Sequence, residues 1–277
     1  MWTYIILGEV TITGGLILLA LKMELRLTRV IPWALIISPF CLWLAAHLGR
    51  LVPGLGLVLP LIFSVILAVF FSAVLIIAIF FRDPTRVSPA EPGTILSPAD
   101  GRVIYIKSLK NASFPIAVKK GTNISLTEFT GEPFPLEYGF QIGIMMSFLD
   151  VHINRAPIAG KVTRIKRVPG VFRSLKHMDS LLENERVFSI IESQEVRVGL
   201  VQIASRLVRR IVPFINEGDD VRQGDRIGMI RFGSQVDLLI PSRDAFVMVC
   251  RVGDYVKAGL SVIARYKSAI SAKPKEY

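Results

Sequence analysis

The chain has 277 residues, of which 52% are hydrophobic and 20% charged, and its formal net charge is +11. The mean hydropathy of +0.52 excludes an intrinsically disordered chain, because such chains are too polar to bury a core. The two cysteines, Cys41 and Cys250, are too few for a disulfide framework and indicate a reducing compartment.

Residues 1–82 are predicted to form a membrane anchor. Residues 30–49 carry no formal charge when the histidine among them is neutral, and the uncharged segment 61–81 is long enough to cross about 30 Å of hydrocarbon. Residues 1–21 form a weaker candidate, because Glu9 and a Gly-Gly pair interrupt them. A cleaved signal peptide is the alternative for this segment, but no basic residue precedes the apolar stretch and no small-residue cleavage site follows it. We expect two or three transmembrane helices.

The loop charges predict the orientation of this anchor. Basic residues cluster after the first and third apolar segments, whereas Arg50 alone separates the second from the third. The clustered residues are Lys22, Arg26, Arg29, Arg82 and Arg86. The positive-inside rule therefore places residues 22–29 and everything after residue 81 on the cytoplasmic face of the cell membrane.

Residues 83–277 contain 28 basic and 20 acidic residues. Such a basic domain is attracted to an anionic membrane leaflet. Nucleic acid is not an expected partner, because the basic residues are scattered through apolar alternation without interleaved aromatic residues or a recognition-helix pattern.

The same part of the chain is predicted to be mainly β-structure, because its short Val- and Ile-rich runs are bounded by Gly, Pro, Asp or Asn. One segment, Val171–Glu185, is predicted to be helical. The predicted strands are Gly101–Ile106, Lys161–Val168, Val187–Ile191, Val196–Ala204, Arg210–Ile215, Arg226–Phe232, Val236–Ile240 and Ala245–Val252.

Two internal repeats refine the predicted fold. The pattern P-x-x-G-x-V occurs at 98–103 and 157–162, and G-D-x-V-x-x-G occurs at 218–224 and 253–259. These elements resemble those of biotinyl and lipoyl carrier domains, which implies a barrel-sandwich-like β domain after the transmembrane helices. No lysine at a hairpin tip between such elements is evident for modification, so the resemblance does not extend to the carrier function.

Five segments then resemble, in order, those of the phosphatidylserine decarboxylase proenzyme family, of its short membrane-anchored type. The resemblance extends from about residue 80 to residue 264. The segments are FFRDPTRVSPAEPGTILSPADGRV at 80–103, MSFLDVHINRAPIAGKV at 146–162, ENERV at 183–187, VQIASRLVRRIV at 201–212 and GDRIGMIRFGSQVDLLIP at 224–241.

The resemblance implies a pyruvoyl enzyme that cuts itself between Gly233 and Ser234. A serine hydroxyl can attack the preceding carbonyl to give an ester, and β-elimination followed by hydrolysis leaves a ketone at the new amino terminus. This pyruvoyl group, formed from Ser234, would serve as a built-in cofactor that forms a Schiff base with the amine of the substrate. The two fragments, 1–233 and 234–277, would stay tightly associated.

Two further residues match catalytic positions of the family. Asp100, in the sequence SPADG, matches the acidic residue that assists self-cleavage, although a turn aspartate is the alternative interpretation. His152 matches the histidine that donates a proton in decarboxylation, a role suited to its pKa, with core packing as the alternative. Another branch of the family has a second histidine three positions later, where this chain has Arg155, which cannot act as a base. Which residue is the base for self-cleavage therefore stays open.

The resemblance implies phosphatidylserine as the substrate and phosphatidylethanolamine as the product, and an archaeal ether-lipid analogue fits equally well. Arg155, Arg209 and Arg210 are candidates for binding the phosphate or carboxylate, with surface solvation as the alternative. The scattered His and Cys residues predict no metal site. The oligomeric state is open, a homodimer included.

Two functions of other classes are weighed against this one. A membrane serine peptidase could use Ser234, His152 and Asp100, but the G-x-S-x-G motif is missing. A non-enzymatic membrane adaptor would remain a single chain. A denaturing gel distinguishes the adaptor from the decarboxylase, because a processed decarboxylase appears as two fragments.

Overall fold

The computed structural model describes residues 2–22, 27–51, 58–89, 91–110, 113–119, 122–134, 138–170, 184–204, 211–231, 234–241 and 245–267. The chain divides into two compact units, residues 1–82 and residues 83–277. The predicted helix at 171–185 falls mostly outside the described residues.

The first unit is helical at all three segments that the sequence predicted to be apolar spans. Its helices are α1 (Trp2–Lys22), α2 (Leu27–Leu51) and α3 (Val58–Phe80). Among the described residues, one stretch, Ile62–Phe80 in α3, is long and apolar enough to cross a membrane. The apolar stretches of α1 and α2 are shorter. The structure therefore supports membrane association through α3.

The second unit is mainly β, as predicted. Its described elements are β1 (Thr94–Leu96), β2 (Gly101–Lys110), β3 (Ser113–Lys119), β4 (Thr122–Ser125), α4 (Leu126–Thr130), β5 (Tyr138–Met146), β6 (Ile153–Arg155), β7 (Gly160–Val168), β8 (Arg186–Glu192), β9 (Arg197–Ala204), β10 (Ile211–Pro213), β11 (Asp220–Val221), β12 (Arg226–Ile230), β13 (Ser234–Pro241), β14 (Phe246–Met248), β15 (Tyr255–Val256) and β16 (Val262–Tyr266).

A curled antiparallel sheet dominates this unit. Its strand order is β11-β7-β8-β9-β13-β5-β2-β3-β4, and β15 also pairs with β2. Two three-stranded sheets, β1-β16-β14 and β10-β12-β6, lie beside it. Strand β13 is central, because it pairs with β5 on one side and with β9 on the other.

Side chains of the central strand alternate between two cores, as the period of two in a β-strand requires. Val236, Leu238 and Ile240 are buried in the larger core. Leu239 belongs to a second core, together with Phe129 of α4 and Phe188 of β8. The sheet is therefore covered on both faces at β13, the strand that begins at Ser234.

The two sequence repeats form the same structural unit twice. In each unit, the Gly-Asp turn of one motif exchanges two backbone hydrogen bonds of 2.7–2.9 Å with the valine that ends the other motif. The partners are Gly253 and Asp254 with Val103, and Gly218 and Asp219 with Val162. Both turn glycines have a φ of 97°, which favours glycine because other residues are strained there. Each turn thus fixes the strand, β2 or β7, that follows the P-x-x-G segment.

Candidate functional site

The backbone of Ser234 lies at the amino end of the central strand. In the register of the sheet, Ser234 is opposite Met146 at the end of β5 and opposite Ala204 at the end of β9. Strand β12 ends at Ile230, so a short connection leads from it to Ser234. Gly233 falls within that connection but outside the described residues, and Arg209 and Arg210 are also outside them.

Asp100 reaches the same end of the sheet because Gly101 packs tightly on β5. Arg102 pairs with Met145. A Cβ added at Gly101 would lie 2.3 Å from the carbonyl oxygen of Met145, and the φ of Gly101 is +151°. Only glycine tolerates both conditions, and this close approach sets Asp100 beside the end of β5.

His152 reaches this place through the loop that joins β5 to β6. Its carbonyl oxygen accepts a hydrogen bond of 3.3 Å from the backbone N–H of Ile230, the last residue of β12. Two residues later, the Nδ2 of Asn154 lies 4.0 Å from the Sδ of Met146. The backbone positions of Asp100 and Ser234 thus lie at the end of β5, and His152 lies in the loop that follows this strand.

The imidazole of His152 is fully buried, and its Nδ1 lies 2.8 Å from the carbonyl oxygen of Asp150. A carbonyl oxygen can only accept a hydrogen bond, so Nδ1 carries the proton in this contact. Nε2 is therefore the ring nitrogen that can take up or release a proton. In the neutral ring Nε2 is then an acceptor, and it can donate a proton to a substrate only after it has taken one up.

Asp150 holds the loop that carries His152, and the sequence analysis did not identify it. Its carboxylate accepts the backbone N–H of Ser147 at 2.7 Å and the hydroxyl of Tyr255 at 2.6 Å. The first contact closes a turn within the loop between β5 and β6, and the second holds this loop against β15. The available signal was an aspartate three residues after a serine, which is typical of a turn.

Asp100 is bound on both carboxylate oxygens by Arg86, at 2.5 and 2.8 Å. The backbone N–H of Ala258 donates a further hydrogen bond of 2.7 Å to it. The side chains of Arg86 and Asp100 are only 8% and 5% exposed. The hydrogen bond to Asp100 raises the pKa of Arg86, so its positive charge compensates the buried carboxylate. Sequence reasoning missed this partner of Asp100.

Arg155 is also buried, and burial lowers its pKa. Its Nη1 donates to the carbonyl oxygen of Gly224 at 2.9 Å, and its Nη2 donates to the carbonyl of Pro84 at 3.0 Å and to Asp83 at 3.3 Å. Arg226 forms an ion pair with the same aspartate. In this structure Arg155 therefore secures the segment that begins the second unit, and its predicted contact with substrate stays a prediction.

A polar cluster begins next to Ser234, and we call it the Asp237 cluster. It consists of the buried residues Gln141, Gln235 and Asp237 together with the partly buried Tyr105. The hydroxyl of Tyr105 donates to Asp237 Oδ2 at 2.7 Å, and Gln235 Nε2 donates to Asp237 Oδ1 at 2.7 Å. Gln141 also donates to Asp237. Burial raises the pKa of Asp237 to about 6, although the three donors oppose this shift.

Within the described part of the chain, no group of three His, Cys, Asp or Glu side chains has the arrangement of a metal site.

Comparison with known proteins identifies the family. The family model for phosphatidylserine decarboxylase matches residues 75–264. A phosphatidylserine decarboxylase proenzyme of Erythrobacter litoralis is 40% identical over 67% of this chain and 71% of its own. One of Pelodictyon phaeoclathratiforme is 35% identical over 84% of this chain and 97% of its own. A protein of Methanothermobacter thermautotrophicus named for archaetidylserine decarboxylation is 37% identical over 75% of this chain and 89% of its own.

These matches and the β-rich fold define a decarboxylase proenzyme. The chain belongs to the phosphatidylserine decarboxylase family, which confirms the resemblance found in the sequence motifs.

Proposed function

We propose that this protein decarboxylates phosphatidylserine to phosphatidylethanolamine. The observation that carries the proposal is the match of the family model from residue 75 to residue 264. The positions of Asp100 and Ser234 at the end of β5, with His152 in the loop that follows, are consistent with it. The archaeal relative favours an ether-linked lipid as a second candidate substrate. Both lipids present a primary amine and a carboxylate, so the same site chemistry serves either one.

The proposed cut lies between Gly233 and Ser234. The serine oxygen attacks the carbonyl carbon of Gly233, and the peptide bond is replaced by an ester. β-Elimination then releases residues 1–233 as a carboxylate and leaves dehydroalanine at position 234. Addition of water and loss of ammonia convert this residue into the pyruvoyl group.

The position of Ser234 fits such a group, because β13 is hydrogen-bonded on both sides. These pairings join residues 234–277 to β5 and β9 of the first fragment, and β16 adds a pairing with β1. The fragments would thus remain associated after cleavage. When formed, the pyruvoyl group supplies an electron-withdrawing carbonyl that reacts with the substrate amine.

His152 and Asp100 have different roles in the proposed reaction. His152, once Nε2 has taken up a proton from solvent, delivers that proton to the carbon that loses its carboxylate as carbon dioxide, while the contact of Nδ1 with the Asp150 carbonyl fixes the ring. Asp100 assists self-cleavage, and Arg86 keeps its carboxylate oriented. We leave the base for self-cleavage unassigned, because Arg155 cannot accept a proton.

We further propose that residues 1–82 anchor the enzyme, with α3 crossing the membrane and the catalytic domain, 83–277, on the cytoplasmic face of the cell membrane. The uncharged stretch Ile62–Phe80, the basic residues in segment 22–29 and Arg82 after α3 support this orientation. The barrel-sandwich likeness of the domain stays a prediction. So do substrate binding by Arg209 and Arg210 and a homodimer.

The test compares Ser234→Ala with Ser189→Ala, which changes another serine of the same sheet. We expect the wild type and Ser189→Ala to give two fragments on a denaturing gel and to decarboxylate phosphatidylserine in mixed micelles. Ser234→Ala should remain one inactive chain. Two normal fragments from Ser234→Ala would overturn the cleavage site. If the wild type is cut efficiently but decarboxylates only the ether-linked lipid, that lipid replaces phosphatidylserine as the proposed substrate.

A further inference from the structure

The Asp237 cluster has no role in the chemistry described above, although it begins at the residue after Ser234. Gln141 and Asp237 are fully buried, and Gln235 is 1% exposed. The cluster faces the second core, because Asp237 and Leu239 lie on the same face of β13. Burying a carboxylate is costly even when it is hydrogen-bonded, and apolar residues would fill this place at less cost.

The cluster ties three neighbouring strands together. Tyr105 of β2, Gly143 of β5 and Asp237 of β13 form one row across the sheet. A Cβ added at Gly143 would lie 2.4 Å from the Cζ of Tyr105, so the tyrosine ring crosses β5 directly over this glycine. The missing side chain at Gly143 thus lets the hydroxyl of Tyr105 reach β13.

Gln235 is the member of the cluster closest to the proposed cut. Its Nε2 donates to the hydroxyl oxygen of Tyr105 and to Oδ1 of Asp237, at 2.7 Å each. After cleavage, residue 234 becomes the end of a chain, and chain ends fray unless they are tied down. The side chain of Gln235 provides such an attachment one residue from the new terminus.

We propose that the Asp237 cluster is a positioning device that holds residue 234 in place, first for self-cleavage and then for decarboxylation. The inference rests on the proposed cut at Ser234. Gln235 is the attachment point, Tyr105 and Asp237 hold its amide, and Gln141 completes the tie to β5. These are positioning residues, because none of them reacts with the substrate.

The test uses Gln235→Met, which keeps the length of the side chain but removes both hydrogen bonds, and Tyr105→Phe, which removes one hydroxyl. Tyr266→Phe is the matched control, because its hydroxyl is buried and has no partner among the described residues. In the two cluster variants we expect slower self-cleavage and a kcat that is lower by about 10-fold to 100-fold, since small displacements of reacting groups cost this much. The KM should stay within about twofold, because the lipid-binding surface is unchanged.

The double variant Tyr105→Phe/Gln235→Met should be about as slow as Gln235→Met alone, because both changes break the same attachment. If the processed form of either single variant has a normal kcat, the proposal is overturned, whether or not the KM is raised. If a thermal melt shows that Gln235→Met does not fold, the cleavage rate and kcat of Tyr105→Phe decide whether the proposal holds. Ser234→Ala is measured in parallel. If Ser234→Ala is cut, the proposed cleavage site at Ser234 is refuted. If Ser234→Ala stays uncut while Gln235→Met and Tyr105→Phe are cut and turn over normally, only the positioning role of the Asp237 cluster is refuted.

Discussion

The ion pair between Arg86 and Asp100 allows a quantitative test of how the site is held. Both side chains are almost completely buried, and Arg86 donates to both oxygens of the carboxylate. Replacing Arg86 with Met would leave the carboxylate with one described donor, the backbone N–H of Ala258. Removing one partner of a buried ion pair typically costs about 3–5 kcal/mol, because the remaining charge is uncompensated.

The control for this experiment is Arg164→Met. Arg164 forms an ion pair with Glu132, but its side chain is 48% exposed. Exposed ion pairs contribute little to stability because water and salt screen them, so this variant should be close to the parent protein. The contrast between the two arginines therefore isolates the effect of burial.

The stability measurement is best made in the Ser234→Ala background, where every variant remains one chain. The tryptophans, Trp2, Trp33 and Trp43, all lie in the first unit, so their fluorescence does not report on the β domain. Circular dichroism of the sheet during denaturant unfolding in detergent is the suitable measurement. A loss below about 1 kcal/mol for Arg86→Met, equal to that of Arg164→Met, would contradict the reasoning.

Self-cleavage of the same variants, measured in the chain that retains Ser234, links the ion pair between Arg86 and Asp100 to function. Arg86→Met should slow the appearance of the two fragments, because Asp100 loses the group that orients it. Asp100→Asn should slow it as well. Arg164→Met should be cut at the normal rate, and equal rates for all three variants would separate the ion pair from self-cleavage.

Three other predictions follow from the site and the anchor. His152→Ala should decarboxylate phosphatidylserine about 10²- to 10⁴-fold more slowly than the wild type, and near-normal turnover in a lipid assay would reduce His152 to a packing residue. Burial raises the pKa of Asp237 from 3.8 to about 6, so the folded state favours its neutral form. The wild type should therefore lose up to about 3 kcal/mol of stability relative to Asp237→Asn as the pH rises from about 4 to about 6, and parallel stability curves for the two proteins would refute this. Protease added outside sealed right-side-out vesicles should leave residues 83–277 intact, whereas their digestion would reverse the proposed topology.

Two of the strands predicted from Val- and Ile-rich runs agree closely with the structure. The predicted strand Lys161–Val168 corresponds to β7, and Val196–Ala204 contains β9. The repeats were equally informative, because each Gly-Asp turn fixes a strand through the same pair of hydrogen bonds. Local patterns were sufficient in these places because Val- and Ile-rich runs favour strands and the turns require glycine.

Strand β5, Tyr138–Met146, was missed although it is central to the site. Its sequence, YGFQIGIMM, places Gly139, Gln141 and Gly143 on one face. Glycine and glutamine weaken a strand pattern, yet Gly143 is required here by the ring of Tyr105. The reason for these residues lies in a neighbouring strand, which local sequence does not reveal.

The partners of the candidate catalytic residues were also missed for a physical reason. Tyr255 binds Asp150 across 105 residues of sequence, and Arg155 binds Gly224 across 69. An arginine just after an apolar segment, such as Arg86, is first interpreted as a membrane-flanking charge. Only the tertiary fold shows that it compensates Asp100.

The central claim is that the chain converts Ser234 into a pyruvoyl group, and the mass of the short fragment tests it most directly. The protein purified from the membrane is denatured, and the intact mass of residues 234–277 is measured. A pyruvoyl terminus predicts a fragment lighter than the serine-terminated peptide by the mass of ammonia. A fragment with the full serine-terminated mass, or a single uncut chain in an active preparation, would contradict the account.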